Sequence, residues 1–130
     1  MAFTTALFAF GIITLLMLGL EISTTYATQG FGFGFSSNRA KIERPALAQR
    51  IARAYQNQIE SAAYGVPILA AAAISNLQFG GAEMAAMFFV IGRAAFAILY
   101  YSGISFIRVP AFVLGTLSIF YIAYGLLVSL

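Results

Sequence analysis

Apolar residues run along this chain in four long blocks, separated by shorter polar or glycine-rich stretches. Inside the blocks they are continuous and do not alternate with period two, which predicts helices and argues against a β-barrel. A helix needs roughly 20 apolar residues to cross a hydrocarbon core. The pattern therefore predicts transmembrane helices over about residues 4–27, 45–76, 82–103 and 110–130, within a single domain covering 1–130. The first block has no basic residue ahead of it, and it exceeds the roughly 7–15 apolar residues of a signal peptide. It is expected to span the membrane.

The second block departs from uniform apolarity. It begins Arg50-Ile-Ala-Arg53-Ala-Tyr-Gln-Asn57-Gln-Ile-Glu60, and a helix turns about 100° per residue. Arg50, Arg53, Asn57, Glu60 and Tyr64 then share roughly a quarter of the circumference, with Ile51, Ala52, Ala54, Ile59 and Ala62 opposite. At more than 30 residues this helix is longer than a ~30 Å core. Its first turns should project past the bilayer, with Arg50 and Arg53 near the headgroups and Glu60 deeper. Pro67 should kink its far half. In the third block Arg93, Phe96 and Tyr100 fall on one face, while the fourth carries no charge beyond Arg108, expected in a loop over Ser102–Val109 before Pro110 opens the span.

Between the first two spans lies Gln29-Gly-Phe-Gly-Phe-Gly-Phe-Ser-Ser-Asn38-Arg39, expected to be a loop because alternating glycines free the backbone. No strand precedes these glycines and no Lys-Ser/Thr follows, so a phosphate cradle is not indicated.

Composition narrows the class. Hydrophobic residues make up 62% of the chain and charged ones 8%, against about 25% charged in soluble domains. An integral membrane protein is the reading that hides so much apolar surface. Cysteine, histidine and tryptophan are absent, which removes the usual transition-metal ligands and any protein thiol. A thiol used in its chemistry would have to arrive with a small molecule. The net charge of +3 is too small and too local for nucleic acid binding.

Charge placement orients the chain. Five of the seven basic residues lie between the first two spans or at the start of the second, and Arg108 lies between the last two. The positive-inside rule puts both of these loops in the cytoplasm and both termini outside. Glu60 and Arg93 each cost about 2.5–3.5 kcal/mol at a membrane centre, so each should face protein or water. One arrangement is a Glu60–Arg93 ion pair that locks the bundle. The other is a cleft in which Arg39, Arg50, Arg53, Arg93 and Arg108 supply positive charge, while Asn57, Glu60 and Tyr100 supply directional hydrogen bonds. Such a cleft suits a small polyanion that also carries an amine, because arginine forks grip carboxylates and Glu60 can take the ammonium. A channel fits less well, since the polar stripes stop halfway across.

The motif Arg50-x-x-Arg53-Ala-x-x-Asn57-x-x-Glu60, followed by Arg93-x6-Tyr100-Tyr-x-Gly103 and then Arg108, resembles the MAPEG family of membrane-associated proteins in eicosanoid and glutathione metabolism. Asn38-Arg39 is similar to a small bacterial branch of it, which implies a bacterial inner membrane. The resemblance implies an all-α, four-transmembrane-helix bundle assembled as a homotrimer, with glutathione held between protomers near the cytoplasmic side. Arg53, Asn57, Glu60, Arg93, Tyr100 and Arg39 would hold it. Arg108 would be catalytic, stabilising the thiolate for attack on a hydrophobic electrophile or lipid peroxide that enters from the membrane lipids. Phe96 stands where several members have histidine or tyrosine, Tyr55 replaces a more polar residue, and the usual proline is displaced to Pro67. Because some relatives bind ligands without catalysis, the alternative is a non-catalytic lipid- or ligand-binding protein.

Overall fold

The computed structural model describes residues 1–35 and 45–130, except for the side chains of 31–35. Four helices account for nearly all of the described chain: α1 (Phe3–Phe35), α2 (Ala46–Ile74), α3 (Ala82–Ser102) and α4 (Ser105–Val128). Three are long and apolar enough to cross a membrane, over Phe3–Gly30, Ala82–Ser102 and Ser105–Val128. The exception is α2, whose first half carries Arg50, Arg53, Gln56, Asn57, Gln58 and Glu60.

The helix ends correct two sequence expectations. The stretch from Gln29 is not a loop throughout: α1 continues to Phe35 across a break at Gly30, where φ is 79° and ψ 167°. Glycine adopts that backbone without strain. Asn38, Arg39, Lys41, Glu43 and Arg44 lie outside the described residues. The link between α3 and α4 is also shorter than expected, since it comprises Gly103 and Ile104 alone. Gly103 closes α3 in the left-handed conformation (φ 80°), its N–H bonding the Tyr100 carbonyl at 3.2 Å. Arg108 and Pro110 consequently belong to α4 and not to a loop ahead of it. Pro110 is the sixth residue of α4, past the first four N–H groups that lack a partner within the helix, so it forgoes one backbone hydrogen bond there.

The helices run alternately up and down. Arg50 at the start of α2 donates from Nε to the Tyr101 carbonyl near the end of α3, at 3.1 Å. At the opposite end the Met1 amine meets the Glu83 carbonyl at the start of α3, at 3.3 Å. Among the described residues α1 and α4 make no contact, so α2 and α3 join the two outer helices.

The core has layers. The larger apolar cluster occupies the half nearer the N-terminus and combines Phe10, Leu69, Phe89 and Ile122 from the four helices. In it the Phe10 and Phe89 rings stack with centroids 5.5 Å apart. Gly65 leaves room for Phe89, whose Cζ would lie 2.7 Å from a Cβ placed there. A smaller cluster of Met17, Ala54 and Ala97 sits toward the basic end. Between the clusters lies a polar layer. Outside, large apolar side chains such as Phe8 (71% exposed) and Leu127 (67%) cover the bundle, a surface suited to lipid or a neighbouring chain.

Small residues set the α3–α4 distance. A Cβ on Gly92 would stand 2.9 Å from the Gly115 nitrogen and 3.0 Å from the Ala111 carbonyl oxygen, whereas one on Gly115 meets nothing nearer than 3.7 Å. Backbone cannot yield as a side chain tip can. Gly92→Ala should therefore cost about 1–3 kcal/mol and lower the unfolding midpoint in detergent, while Gly115→Ala in the same interface should not. Equal midpoints for the two variants would show that this contact does not limit the packing.

Candidate functional site

The site begins with how α2 is turned. Its buried residues Ile51, Ala54, Gln58, Ser61, Gly65, Leu69 and Ala72 recur every three or four positions, which makes one line along the helix. On a 100° wheel Arg50 and Asn57 lie along one edge of that line, and Arg53, Glu60 and Tyr64 lie further round on the same side. The exposures follow: Arg50 and Asn57 are half-buried, and Arg53, Glu60 and Tyr64 are exposed. The single polar stripe expected from the sequence thus divides between a wall facing the bundle and a face turned outward.

The polar layer grows from the inward part. Arg93 is 2% exposed, yet it does not pair with Glu60. Its Nε donates to Gln58 Oε1 at 3.0 Å and its Nη2 to Asn57 Oδ1 at 2.7 Å. The face of Phe96 lies 4.8 Å from the guanidinium carbon. Gln58 in turn donates from Nε2 to the Thr14 hydroxyl on α1 at 3.1 Å. Of the two arrangements open for Arg93, the Glu60 ion pair is therefore not the one formed. Glu60 sits well over a quarter-turn from the buried line of α2, and its partner is Gln56 on its own helix, at 3.4 Å. Gln58 and Thr14 were missed by the sequence reading. The available signal was an amide at Gln58 in register with Ile51, Ala54 and Gly65 on the apolar line.

A second row leads from this layer toward the basic end. Phe96 packs against Tyr100 with ring centroids 5.5 Å apart and against Phe112 at 5.7 Å. Arg108 covers the Tyr100 ring at 4.4 Å. The face of α3 expected to carry Arg93, Phe96 and Tyr100 does so, and α4 adds Arg108. Arg50 is more than a headgroup contact: it bonds the Tyr101 carbonyl, where a cation favours the negative end of the α3 dipole. Beside Tyr64 a cavity of about 340 Å³ opens between α2 and α4, lined by Ile68, Phe112, Thr116 and Phe120.

The matching family model, described as the MAPEG family, covers residues 4–128. The chain belongs to the MAPEG family. Its all-helical fold and apolar spans make it an integral membrane protein, and membership places it among membrane proteins related to glutathione and lipids. No curated protein and no solved structure in the comparisons matches the chain.

Within this MAPEG chain the candidate residues that are described fall into three sets. Asn57 joins Arg93, and Tyr100 joins Arg108. Arg53 and Glu60 stand apart on the outer face of α2, without a partner from α3 or α4 among the described residues. No group of three or more His, Cys, Asp or Glu residues capable of holding a metal occurs among the described residues. The dependence of the bundle on Arg93 is testable. Arg93→Leu leaves the Asn57 and Gln58 oxygens without a donor, at a cost of about 2 kcal/mol, read as a lower unfolding midpoint in detergent. Arg93→Lys should not restore it, because a lone ammonium cannot reproduce the guanidinium fork.

Proposed function

We propose that this protein binds glutathione on the outward face of α2 and uses its thiol against a hydrophobic electrophile or lipid peroxide. The observation that carries this reading is a carboxylate and an arginine displayed on an apolar bundle with no partner from α3 or α4 among the described residues, Glu60 meeting only Gln56 of its own helix. Glu60 stands 14 residues past the start of α2, about 21 Å along the axis, a depth at which an uncovered charge is costly. A second protomer in a homotrimer would cover that face and complete the site.

The residues fit the ligand. Arg53, Asn57 and Glu60 fall within eight residues, about 10 Å of helix, with a cation, an amide and an anion in sequence. Glutathione has two carboxylates, peptide carbonyls and one ammonium. Arg53 would take a carboxylate, Glu60 the ammonium and Asn57 a carbonyl or carboxylate. Arg93 serves through Asn57, because its own donors turn inward. Arg39 is retained as a further cation for this end.

Bound glutathione supplies the thiol on which the chemistry depends. Arg108, held over Tyr100, would place positive charge near the sulfur and raise its thiolate fraction at neutral pH. In conjugation the sulfur lone pair forms the new C–S bond and the leaving group departs with its electron pair. The α2–α4 cavity, continuous through Phe112 with the Phe96–Tyr100 row, suits the hydrophobic partner. The basic end would face the cytoplasm and the termini the other side of a bacterial inner membrane. A binding-only role is favoured by one observation: Phe96 lies between Arg93 and Tyr100 and adds no hydrogen-bonding group to the row.

Titration calorimetry with glutathione, followed by turnover with a halonitrobenzene, tests this reading. The wild type should bind. Arg53→Ala and Glu60→Ala should each weaken binding roughly tenfold, the loss expected for one charge-assisted hydrogen bond. Arg108→Ala should bind but not turn over. Absence of heat from the wild type would end the glutathione reading, whereas binding without turnover would favour the ligand-binding alternative. Native mass spectrometry in mild detergents should give trimers, and a persistent monomer would remove the proposed interface.

A further inference from the structure

The hydrogen bonds of the polar layer have a direction, and Arg93 sets it. A guanidinium only donates. The atom of Asn57 that meets Nη2 at 2.7 Å is therefore the carbonyl oxygen, and so is the atom of Gln58 that meets Nε at 3.0 Å. With Oε1 engaged, Gln58 presents Nε2 to Thr14 at 3.1 Å. The Thr14 hydroxyl must accept that bond, so its own hydrogen goes to the Phe10 carbonyl at 2.8 Å. Neither Asn57 nor Gln58 can flip its amide without setting donor against donor. At the other end, Asn57 is left with its Nδ2 hydrogens. That nitrogen has no partner among the described residues, and it is not among the buried unsatisfied atoms, so it reaches the surface of the protomer.

We infer that Gln58, anchored by Thr14, is a positioning residue that holds Arg93 against Asn57 and so commits Asn57 to donate, from Nδ2, to a carboxylate or carbonyl of the ligand. This rests on the reading of the α2 face as the glutathione site and assigns polarity to one of its contacts. A free asparagine could rotate to offer oxygen to the ligand's ammonium. Here the oxygen is engaged, and the ammonium is left to Glu60. The sorting of ligand groups along α2 then follows from a contact on α1, far from the ligand.

Two substitutions in the full-length protein test this, each followed by glutathione calorimetry and thermal unfolding in detergent. Thr14→Val keeps the side-chain shape and removes the acceptor for Gln58 Nε2. It should raise the glutathione Kd about fivefold, the worth of one neutral hydrogen bond, with kcat little changed, and Thr14→Ser should restore the wild-type Kd. Asn57→Asp keeps an acceptor for Arg93 and should fold at least as well, but it replaces the outward donor with an acceptor. Its Kd should rise about tenfold or more. Were Asn57 an acceptor for the ammonium, the same change would tighten binding. Unchanged affinity in Thr14→Val, or unchanged or tighter binding by Asn57→Asp, overturns the inference while the glutathione reading stands. Loss of wild-type binding overturns both.

Discussion

A guanidinium in the middle of an apolar bundle must be satisfied by whatever packs against it, and among the described residues no carboxylate does so for Arg93. Arg93 is enclosed by two neutral amides and an aromatic face. Burying an unpaired ion is expensive, and polar contacts between membrane helices average well under ~1 kcal/mol each. The layer is better understood as a register device than as a source of stability. Gln58 and Asn57 fix the rotation of α2 against α3, and the Gln58–Thr14 bond fixes α1 against both. A rotation of α2 by one residue would turn Gln58 away from Arg93 and strand the charge. The two apolar clusters on either side have no such specificity, since Phe, Leu and Ala tolerate small slips that a hydrogen-bond fork does not.

That fixed rotation explains why the site divides as it does. Once Gln58 must face inward, Asn57 falls at the boundary and Arg53, Glu60 and Tyr64 are carried to the outside. The polar outer face follows directly from satisfying Arg93 inside. The close α3–α4 contact at Gly92 works in the same direction: it presses α4 onto α3 and so brings Arg108 over Tyr100.

Much of this was legible in the sequence. Four apolar blocks gave four helices, the spacing of Arg93, Phe96 and Tyr100 gave one face of α3, and the Arg50–Glu60 motif gave the family. The failures have physical causes. A Glu60–Arg93 pair was one of two arrangements left open by the sequence, since opposite charges within a membrane can meet, but two amides meet the needs of Arg93 without a second charge, and the rotation of α2 turns Glu60 away. Gln58 was overlooked because the flanking charges of α2 drew the polar stripe away from it. Its register with the small residues, not its polarity relative to its neighbours, marked it as buried. Arg108 was placed in a loop because proline was read as a helix opener, although α4 starts at Ser105 and carries Pro110 in its second turn.

Phe96 connects these observations. It contacts Arg93 below, Tyr100 above and Phe112 to the side, so it links the buried layer to the residue that supports Arg108. A hydrogen-bonding side chain there could compete with Asn57 and Gln58 for Arg93, or draw Tyr100 away from Arg108. An aromatic ring offers a cation only its face, and it accepts Arg93 without redirecting the donors on which Asn57 depends. By this argument phenylalanine at position 96 is a consequence of having a neutral glutamine at 58. With no carboxylate in the layer, the guanidinium relies on the amides for hydrogen bonds and on the ring for the remainder of its surroundings, so residues 58 and 96 are best regarded as one unit.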